Sequence, residues 1–176
     1  MARVALLVAL ALVACGATMP AEPEAPAAVL AGVLCAECKH CSPEERAAIG
    51  HVAIGRATWA ASWWGDGLVE VLRKRRQFAR PSSACRWKLR PRADGQPWSR
   101  WFVEWHRERL ALIHYEAEAL LAAEVDNPTP LATHFHAAKL GEVWPWLVAV
   151  DAPQAWRHRF YCDAALVRRT VRHAEP

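Results

Sequence analysis

The sequence predicts a mostly helical α+β domain with a small antiparallel β ribbon. Three features predict this class: a capped helix start at Ser42, a long amphipathic segment that begins at Trp98, and a strictly alternating segment, LATHFHA, at residues 131–137. At 176 residues, the chain is long enough for one domain with a real hydrophobic core. We place that domain at residues 30–170.

Residues 1–14 form an apolar leader that precedes the domain. One Arg is followed by an unbroken apolar run that is too short to span a bilayer comfortably, a pattern typical of a secretory signal peptide. The leader ends in Leu-Val-Ala before Cys15, which resembles a bacterial lipoprotein cleavage box and makes Cys15 the expected lipidation site. The alternative is a simple signal peptide that happens to contain a cysteine.

Residues 15–29 are small, acidic and rich in proline and alanine. Such a composition cannot pack into a core and is typical of an extended tether. With the leader, it predicts a protein that is exported to the bacterial cell envelope, works in the periplasm and is held at the membrane by an N-terminal lipid anchor.

The first two helices are expected on either side of a short turn. The first is around Val29–Cys38. The second begins at Ser42, with Pro43 in the first helical position and Glu45 three residues after the cap, which is the pattern of a capping box. It is expected to end near Ser62, and its core candidates share one face at helical spacing: Ile49, Val52 and Ala53.

Two further helices complete the helical part. A Gly-Asp-Gly break at residues 65–67 precedes a third, short helix near residues 68–72. Residues 81–97 contain four Pro or Gly and are expected to form a long loop. The fourth helix, from Trp98 to about Val125, has apolar residues spaced among Glu, Arg and His, and the Asn-Pro pair at 127–128 ends it.

The β ribbon is predicted near the C-terminus. The alternating segment at residues 131–137 is typical of a strand. Its period of two places His134 and His136 on one face. A second candidate strand from Trp156 to Tyr161 is the expected partner.

The chain has six cysteines. If Cys15 is lipidated, five remain, and an odd number leaves at least one unpaired. Because export favours disulfides, we expect one or two that join the cluster at Cys35, Cys38 and Cys41 to Cys85 or Cys162. The cluster also has metal-binding spacing, but structural zinc usually takes four ligands and the cluster offers three, so no metal is expected.

Positive charge is concentrated in one segment. The net charge is +4, and removal of the leader with its one Arg leaves +3, but nine Arg or Lys and no acidic residue lie between Val71 and Ala93. Either this is a solvated surface or it attracts an anionic polymer. In an exported protein that polymer would be cell wall or phospholipid head groups, and no nucleic acid is expected as a partner.

Ten tryptophans are several times the ordinary usage. Most are expected to pack in the core, but exposed indole faces also stack on sugar rings because they are flat and rigid. The candidates for exposure flank chain breaks: Trp63, Trp64, Trp98 and Trp101.

Four stretches, in order, resemble the SleB-type cell-wall hydrolase family (the spore-cortex-lytic enzyme catalytic domain). ECKHCSPEER, with a helix ending in Arg56, resembles its E-A-R-G-E-S-x-E-G-Q opening and the N-R helix end. The segment ending in Gln77 and Phe78 resembles its Q-F-S, and residues 120–137 resemble its L-A-G-x-x-x-D-P-T-x-x-A-T-H-Y-H-A. Trp144 and the HRFY after Arg157 resemble its closing W and H-x-F-Y. The resemblance covers roughly residues 30–162 and diverges from Pro81 to about Ala111.

The resemblance implies a lysozyme-like domain that cleaves the glycan strands of peptidoglycan, as a lytic transglycosylase or a muramidase, without a cofactor. Glu37 corresponds to the family's catalytic acid and would act as the single general acid and base. The residues that match the other motifs are the expected substrate-binding residues: Gln77, Phe78, His134, His136, Trp144, His158 and Tyr161.

Three motif positions depart from the family. Cys41 replaces its second glutamate, His40 its glycine and Gly55 its asparagine. One alternative is therefore a descendant that binds the wall without catalysis. The other is a zinc-dependent hydrolase with ligands on the two strands: His134, His136 and His158.

Overall fold

The computed structural model describes residues 24–59, 64–80, 85, 89, 92–141, 146–163 and 165. The leader with Cys15, most of the expected tether, Trp63 and Trp144 lie outside these residues. Within them, the chain forms four α-helices, one short 3-10 helix and one three-stranded antiparallel sheet. This arrangement confirms the α+β class, the predominance of helix and the small antiparallel sheet.

The helices are α1 (Pro26–Cys38), α2 (Pro43–Thr58), α3 (Leu68–Arg73) and α4 (Arg100–Leu121), and the strands are β1 (His134–Ala137), β2 (Leu147–Val150) and β3 (His158–Asp163). A 3-10 helix at Ala138–Leu140 follows β1. All four predicted helices are present, with shifted ends. α1 starts inside the segment expected to be tether, because a proline suits the first helical turn and the alanines after it favour helix.

α1 is the central helix of the core. It packs against α2, α3 and α4, and its buried residues extend around most of its circumference: Val29, Leu30, Ala31, Val33, Leu34, Cys35 and Cys38. A helix that is apolar on nearly every side belongs in the interior of a domain. Among the described residues, no helix combines the length and the apolarity that crossing a membrane requires.

α2 begins as the sequence predicts. The Ser42 hydroxyl accepts a hydrogen bond from the backbone N–H of Glu45 at 3.2 Å, and Pro43 is the first helical residue. The Glu45 carboxylate, however, accepts two bonds from His158, one from its backbone N–H and one from its ring Nδ1, both at 2.9 Å. In a complete capping box, the Glu45 carboxylate would accept a hydrogen bond from the Ser42 backbone N–H. Here it binds His158 instead and connects α2 to β3. The predicted core face of α2 is fully buried: Ile49, Val52 and Ala53.

Two residues of α4, Arg109 and Glu116, take part in fixing the turn between α1 and α2. Arg46, 1% exposed, donates from Nε and Nη2 to the two carboxylate oxygens of Glu116, each at 2.6 Å, and from Nη1 to the Cys41 carbonyl. Arg109 donates to the Lys39 carbonyl at 3.1 Å. The turn that follows Glu37 is thus fixed by two arginine side chains.

β3 is the central strand of the sheet, with β1 and β2 antiparallel on either side. His134 pairs with Tyr161 and Ala137 with His158, which confirms the predicted ribbon, although its second strand continues to Asp163. The sequence offers no signal for β2, because a run of four apolar residues has no period that distinguishes a strand from a helix.

Two cysteine pairs are joined in the structure. Cys35 pairs with Cys85, with Cα atoms 5.7 Å apart, and Cys38 pairs with Cys41 at 5.3 Å. The first is an expected bridge from the N-terminal cluster, and the second, within the cluster, was not expected. Cys162 is a buried thiol that points at the Val148 carbonyl, so it is not the partner of the cluster.

Candidate active site

Glu37 is half-buried in the last turn of α1. Its Oε1 accepts a hydrogen bond from the backbone N–H of Ala79. Burial raises the pKa of this carboxyl above its usual value, and the Ala79 bond and the positive charges of His158 and Arg56 oppose the rise without cancelling it. The carboxyl group therefore retains its proton to a higher pH than a solvated glutamate does.

An open cleft of about 640 Å³ lies beside Glu37. One wall is the end of α1 and the turn after it, residues 35–40, and the other is the end of the ribbon, residues 137–139 with Arg157 and His158. Among the described residues that line this cleft, Glu37 is the only acidic one, and the charged or titratable others are basic: Lys39, His40, Lys139, Arg157 and His158. The cleft is thus a cationic groove with one carboxyl group.

The segment with Gln77 and Phe78 lies close to Glu37, because Ala79, the residue after Phe78, donates its backbone N–H to the Glu37 carboxylate. Gln77 Nε2 donates to the Trp64 carbonyl at 3.3 Å. The Phe78 ring packs against the Phe135 ring of β1, with centroids 6.0 Å apart. Phe78 is a buried packing residue, 8% exposed, and supports the Glu37 segment from the core side.

Arg56 is a buried arginine whose charge acts on Glu37, and the spacing of the sequence does not place it at the site. Its side chain is 6% exposed, its Nε donates to the Thr133 carbonyl at 2.7 Å, and its guanidinium lies 5.1 Å from the Phe78 ring centroid. Burial lowers its pKa to about 10, and the charge of Glu37 partly opposes this. The resemblance of this helix end to the N-R of the SleB-type motif is the sequence signal that points to Arg56.

His134, His136 and Tyr161 share one face of the sheet, as predicted for the two histidines. His136 Nδ1 donates to the Ala137 carbonyl at 2.9 Å, and its Nε2 lies 2.8 Å from the Tyr161 hydroxyl oxygen. His134 Nδ1 lies 2.9 Å from the Thr133 hydroxyl, and its ring meets the edges of Trp64 and Trp146. Burial and the charge of Arg56 lower the pKa of His134 to about 4, so it is neutral at physiological pH.

We expect His134 to make stability pH-dependent. The unfolded chain protonates this residue below about pH 6.5, whereas the folded chain does so only near pH 4, so protonation favours unfolding between these values. The stability that a neutral His134 contributes is complete above pH 6.5 and is lost as the pH falls towards 4. In urea unfolding across this range, the parent should lose stability relative to His134→Asn. Parallel pH curves for the two proteins would contradict this.

His158 lies on the opposite face of the sheet from His134 and His136. It pairs with Ala137, its ring packs on Phe135 at 5.4 Å, and its Nδ1 is engaged by Glu45. The structure therefore brings His158 to the Glu37 cleft but does not bring the three histidines together. A zinc site with His134, His136 and His158 as ligands does not fit this geometry. His158 is paired with Ala137, and Ala137 projects to the opposite face of the sheet from its neighbour His136.

The tryptophan predictions divide. Trp98 and Trp101 are exposed, at 37% and 70%, as expected. The prediction for Trp64 is wrong: it is 6% exposed, because it packs against Trp59 and under the Arg56 guanidinium. Trp101 stacks on Trp105, which stacks on His40 at the edge of the cleft, with ring centroids 6.3 and 6.2 Å apart.

The site thus combines Glu37, Ala79 and His158 around one cationic cleft, with Arg56 behind it. The positions of Trp144 and Cys15 lie outside the described residues. Comparison of the chain with models of known protein families, with curated proteins and with solved structures finds no match.

Proposed function

We propose that this protein cleaves the glycan strands of peptidoglycan, with Glu37 as the single general acid and base, in a domain of lysozyme-like type. The observation that supports this most is the position of Glu37: a half-buried carboxyl with a raised pKa on the wall of an open cleft, at the residue that matches the family's acid. A general acid needs both access to substrate and a proton that is retained near neutral pH.

The chemistry requires one carboxyl group. Protonated Glu37 donates its proton to the oxygen that joins N-acetylmuramic acid to N-acetylglucosamine, and the bond from that oxygen to C1 of the muramic acid breaks. The carboxylate then removes the proton from the C6 hydroxyl of the same sugar, whose oxygen bonds to C1. The product is a 1,6-anhydro sugar, and Glu37 is again protonated. The Ala79 N–H fixes Oε1, which leaves Oε2 to transfer the proton.

The charge of the cleft favours an anionic substrate. Lys39, Lys139 and Arg157 line it, and the muramic acid of peptidoglycan carries lactyl and peptide carboxylates. The stacked rings of Trp101, Trp105 and His40 extend from the cleft along the start of α4. Trp101 and His40 are the exposed members of this row, and flat exposed rings suit the faces of sugars. The substrate class that fits both features is an anionic polysaccharide.

A wall-binding protein without catalytic activity is the second candidate. It is favoured by Cys41, which stands where the resembled family has its second glutamate and is joined to Cys38, so position 41 supplies no carboxylate. The two candidates differ in one measurable outcome: a catalyst releases soluble fragments from isolated sacculi, and a binding protein is only retained on them.

We further propose that the protein is exported and anchored by a lipid on Cys15. Replacement of Cys15 by Ser should prevent lipid attachment, because the thioether forms on the cysteine sulfur. The variant should then move from the detergent phase to the aqueous phase in detergent partitioning of cell extracts. Equal partitioning of Cys15→Ser and the parent would contradict the lipid anchor.

A further inference from the structure

A second cluster of chemically active side chains lies next to Glu37. Cys38, Cys41, Glu45 and His158 are all buried, and one potential ligand atom from each lies within 4.8 Å of the other three. We propose that the reduced protein binds one zinc ion at these four residues. This proposal is independent of the glycan-cleaving function.

The fold assembles this cluster from three regular elements and one turn. Cys38 ends α1, Cys41 lies in the following turn, and Glu45 is in the first turn of α2. His158 is the first residue of β3 and reaches the cluster from 113 positions further along the chain. A pair of cysteines separated by two residues is the usual first half of a structural zinc site. Spacing within the cysteine cluster does not reveal the other two ligands, Glu45 and His158, because only the fold brings them to Cys38 and Cys41.

The ligand set and its spacing suit zinc. Zinc takes thiolate, imidazole and carboxylate ligands in a tetrahedron, with Zn–S near 2.3 Å and Zn–N or Zn–O near 2.0–2.2 Å. These lengths require sulfurs about 3.7 Å apart and a nitrogen–oxygen separation of about 3.3 Å. The His158 Nδ1 and Glu45 Oε1 atoms are already 2.9 Å apart and need to separate by only a few tenths of an ångström.

Cys35 is not one of the residues whose ligand atoms converge here, because its sulfur is directed towards Cys85 instead. The negative charges among the four ligand side chains also favour binding of a cation. Two thiolates and the buried Glu45 carboxylate would carry three negative charges, which a divalent ion reduces to one. Glu45 lies in the first turn of α2, where the helix dipole stabilises the remaining negative charge.

The disulfide and the zinc site exclude each other. The Cys38–Cys41 bond must first accept two electrons and two protons from a reductant to give two thiols. Zinc then displaces the two thiol protons, and the His158 ring must carry its proton on Nε2 so that the Nδ1 lone pair binds the ion. The zinc form therefore belongs to reducing conditions and the disulfide form to oxidising ones.

Cobalt titration of the full chain tests the proposal. The protein is reduced with a phosphine, which does not compete strongly for metal, and Co²⁺ is added anaerobically. We expect one equivalent to give the visible bands of tetrahedral cobalt with a thiolate charge-transfer band, and one equivalent of Zn²⁺ to remove them. The oxidised chain should give neither signal. A folded, reduced chain without these signals, or an oxidised chain with them, would overturn the proposal.

Two ligand variants and one control assign the site. Cys41→Ser and His158→Gln should each weaken cobalt binding by about tenfold or more, since even residues that only support ligands contribute 10–100-fold. The double variant Cys35→Ser/Cys85→Ser should bind cobalt as the parent does. Circular dichroism verifies that each variant is folded. Retained binding in a folded Cys41→Ser protein, or lost binding in a folded control, would rule out these four residues.

Discussion

Replacement of Glu37 by Gln should abolish glycan cleavage. Glutamine has nearly the same shape and can still accept the Ala79 hydrogen bond, but it has no proton to transfer. Loss of a general acid typically lowers a rate by ~10²–10⁴-fold. The measurement is the initial rate at which soluble muropeptides are released from purified sacculi, with parent and variant at equal concentration.

The same substitution should not reduce stability at neutral pH. The pKa of Glu37 is raised in the folded protein, so its stabilising contribution is present at low pH and declines as the pH rises from the usual glutamate value through the raised one. The charged form is thus unfavourable at pH 7, and a neutral glutamine removes that cost. Glu44, an exposed glutamate in the first turn of α2, is a matched control, and Glu44→Gln should retain full activity. A folded Glu37→Gln protein with parental activity would exclude Glu37 as the acid.

Replacement of Arg46 by Met should cause the largest loss of stability. It leaves the Glu116 carboxylate without its two 2.6 Å bonds and the buried Cys41 carbonyl without its guanidinium donor. Removal of one partner from a buried ion pair typically costs about 3–5 kcal/mol. The free energy of unfolding from urea titration measures the effect.

Two comparisons show whether burial causes that loss. Arg100 and Glu104 form an exposed pair on α4, 92% and 53% exposed, so Arg100→Met should change stability by less than about 1 kcal/mol. The double variant Arg46→Met/Glu116→Leu should recover part of the loss, because it leaves no unpaired carboxylate. If Arg46→Met cost no more than Arg100→Met, the ion pair would not be what fixes the turn after Glu37.

The helices and the ribbon could be predicted because their signals are local. Ser42 and Pro43 specify the start of α2 within three residues, and the alternation around His134 specifies β1. The end of α2 could not be placed, because Trp59 leaves the helix at a position without Gly or Pro. The orientation of the Glu45 side chain depends on His158, a distant residue, and no local pattern could reveal it.

The site was predictable only where its signals are local in the sequence. Glu37 could be singled out by its motif and its place before a capped helix, but its half-buried state depends on Ala79 and on the ribbon. His134, His136 and His158 were rightly placed on strands, yet their separation onto two faces follows from the β1–β3 register. No local pattern marks Arg56 as buried, because an arginine at the end of a helix is usually on the surface, whereas here it is buried beside Glu37.

The identity of the products released from purified sacculi tests the central claim most directly. The purified chain is incubated with sacculi, and the soluble fraction is analysed by mass spectrometry, with Glu37→Gln as the blank. We expect fragments that end in 1,6-anhydro-muramic acid, or in reducing muramic acid if water rather than the C6 hydroxyl attacks C1, and none from the variant. Sacculi that retain the protein but release no fragments would contradict catalysis, and equal release by Glu37→Gln would contradict the role of Glu37.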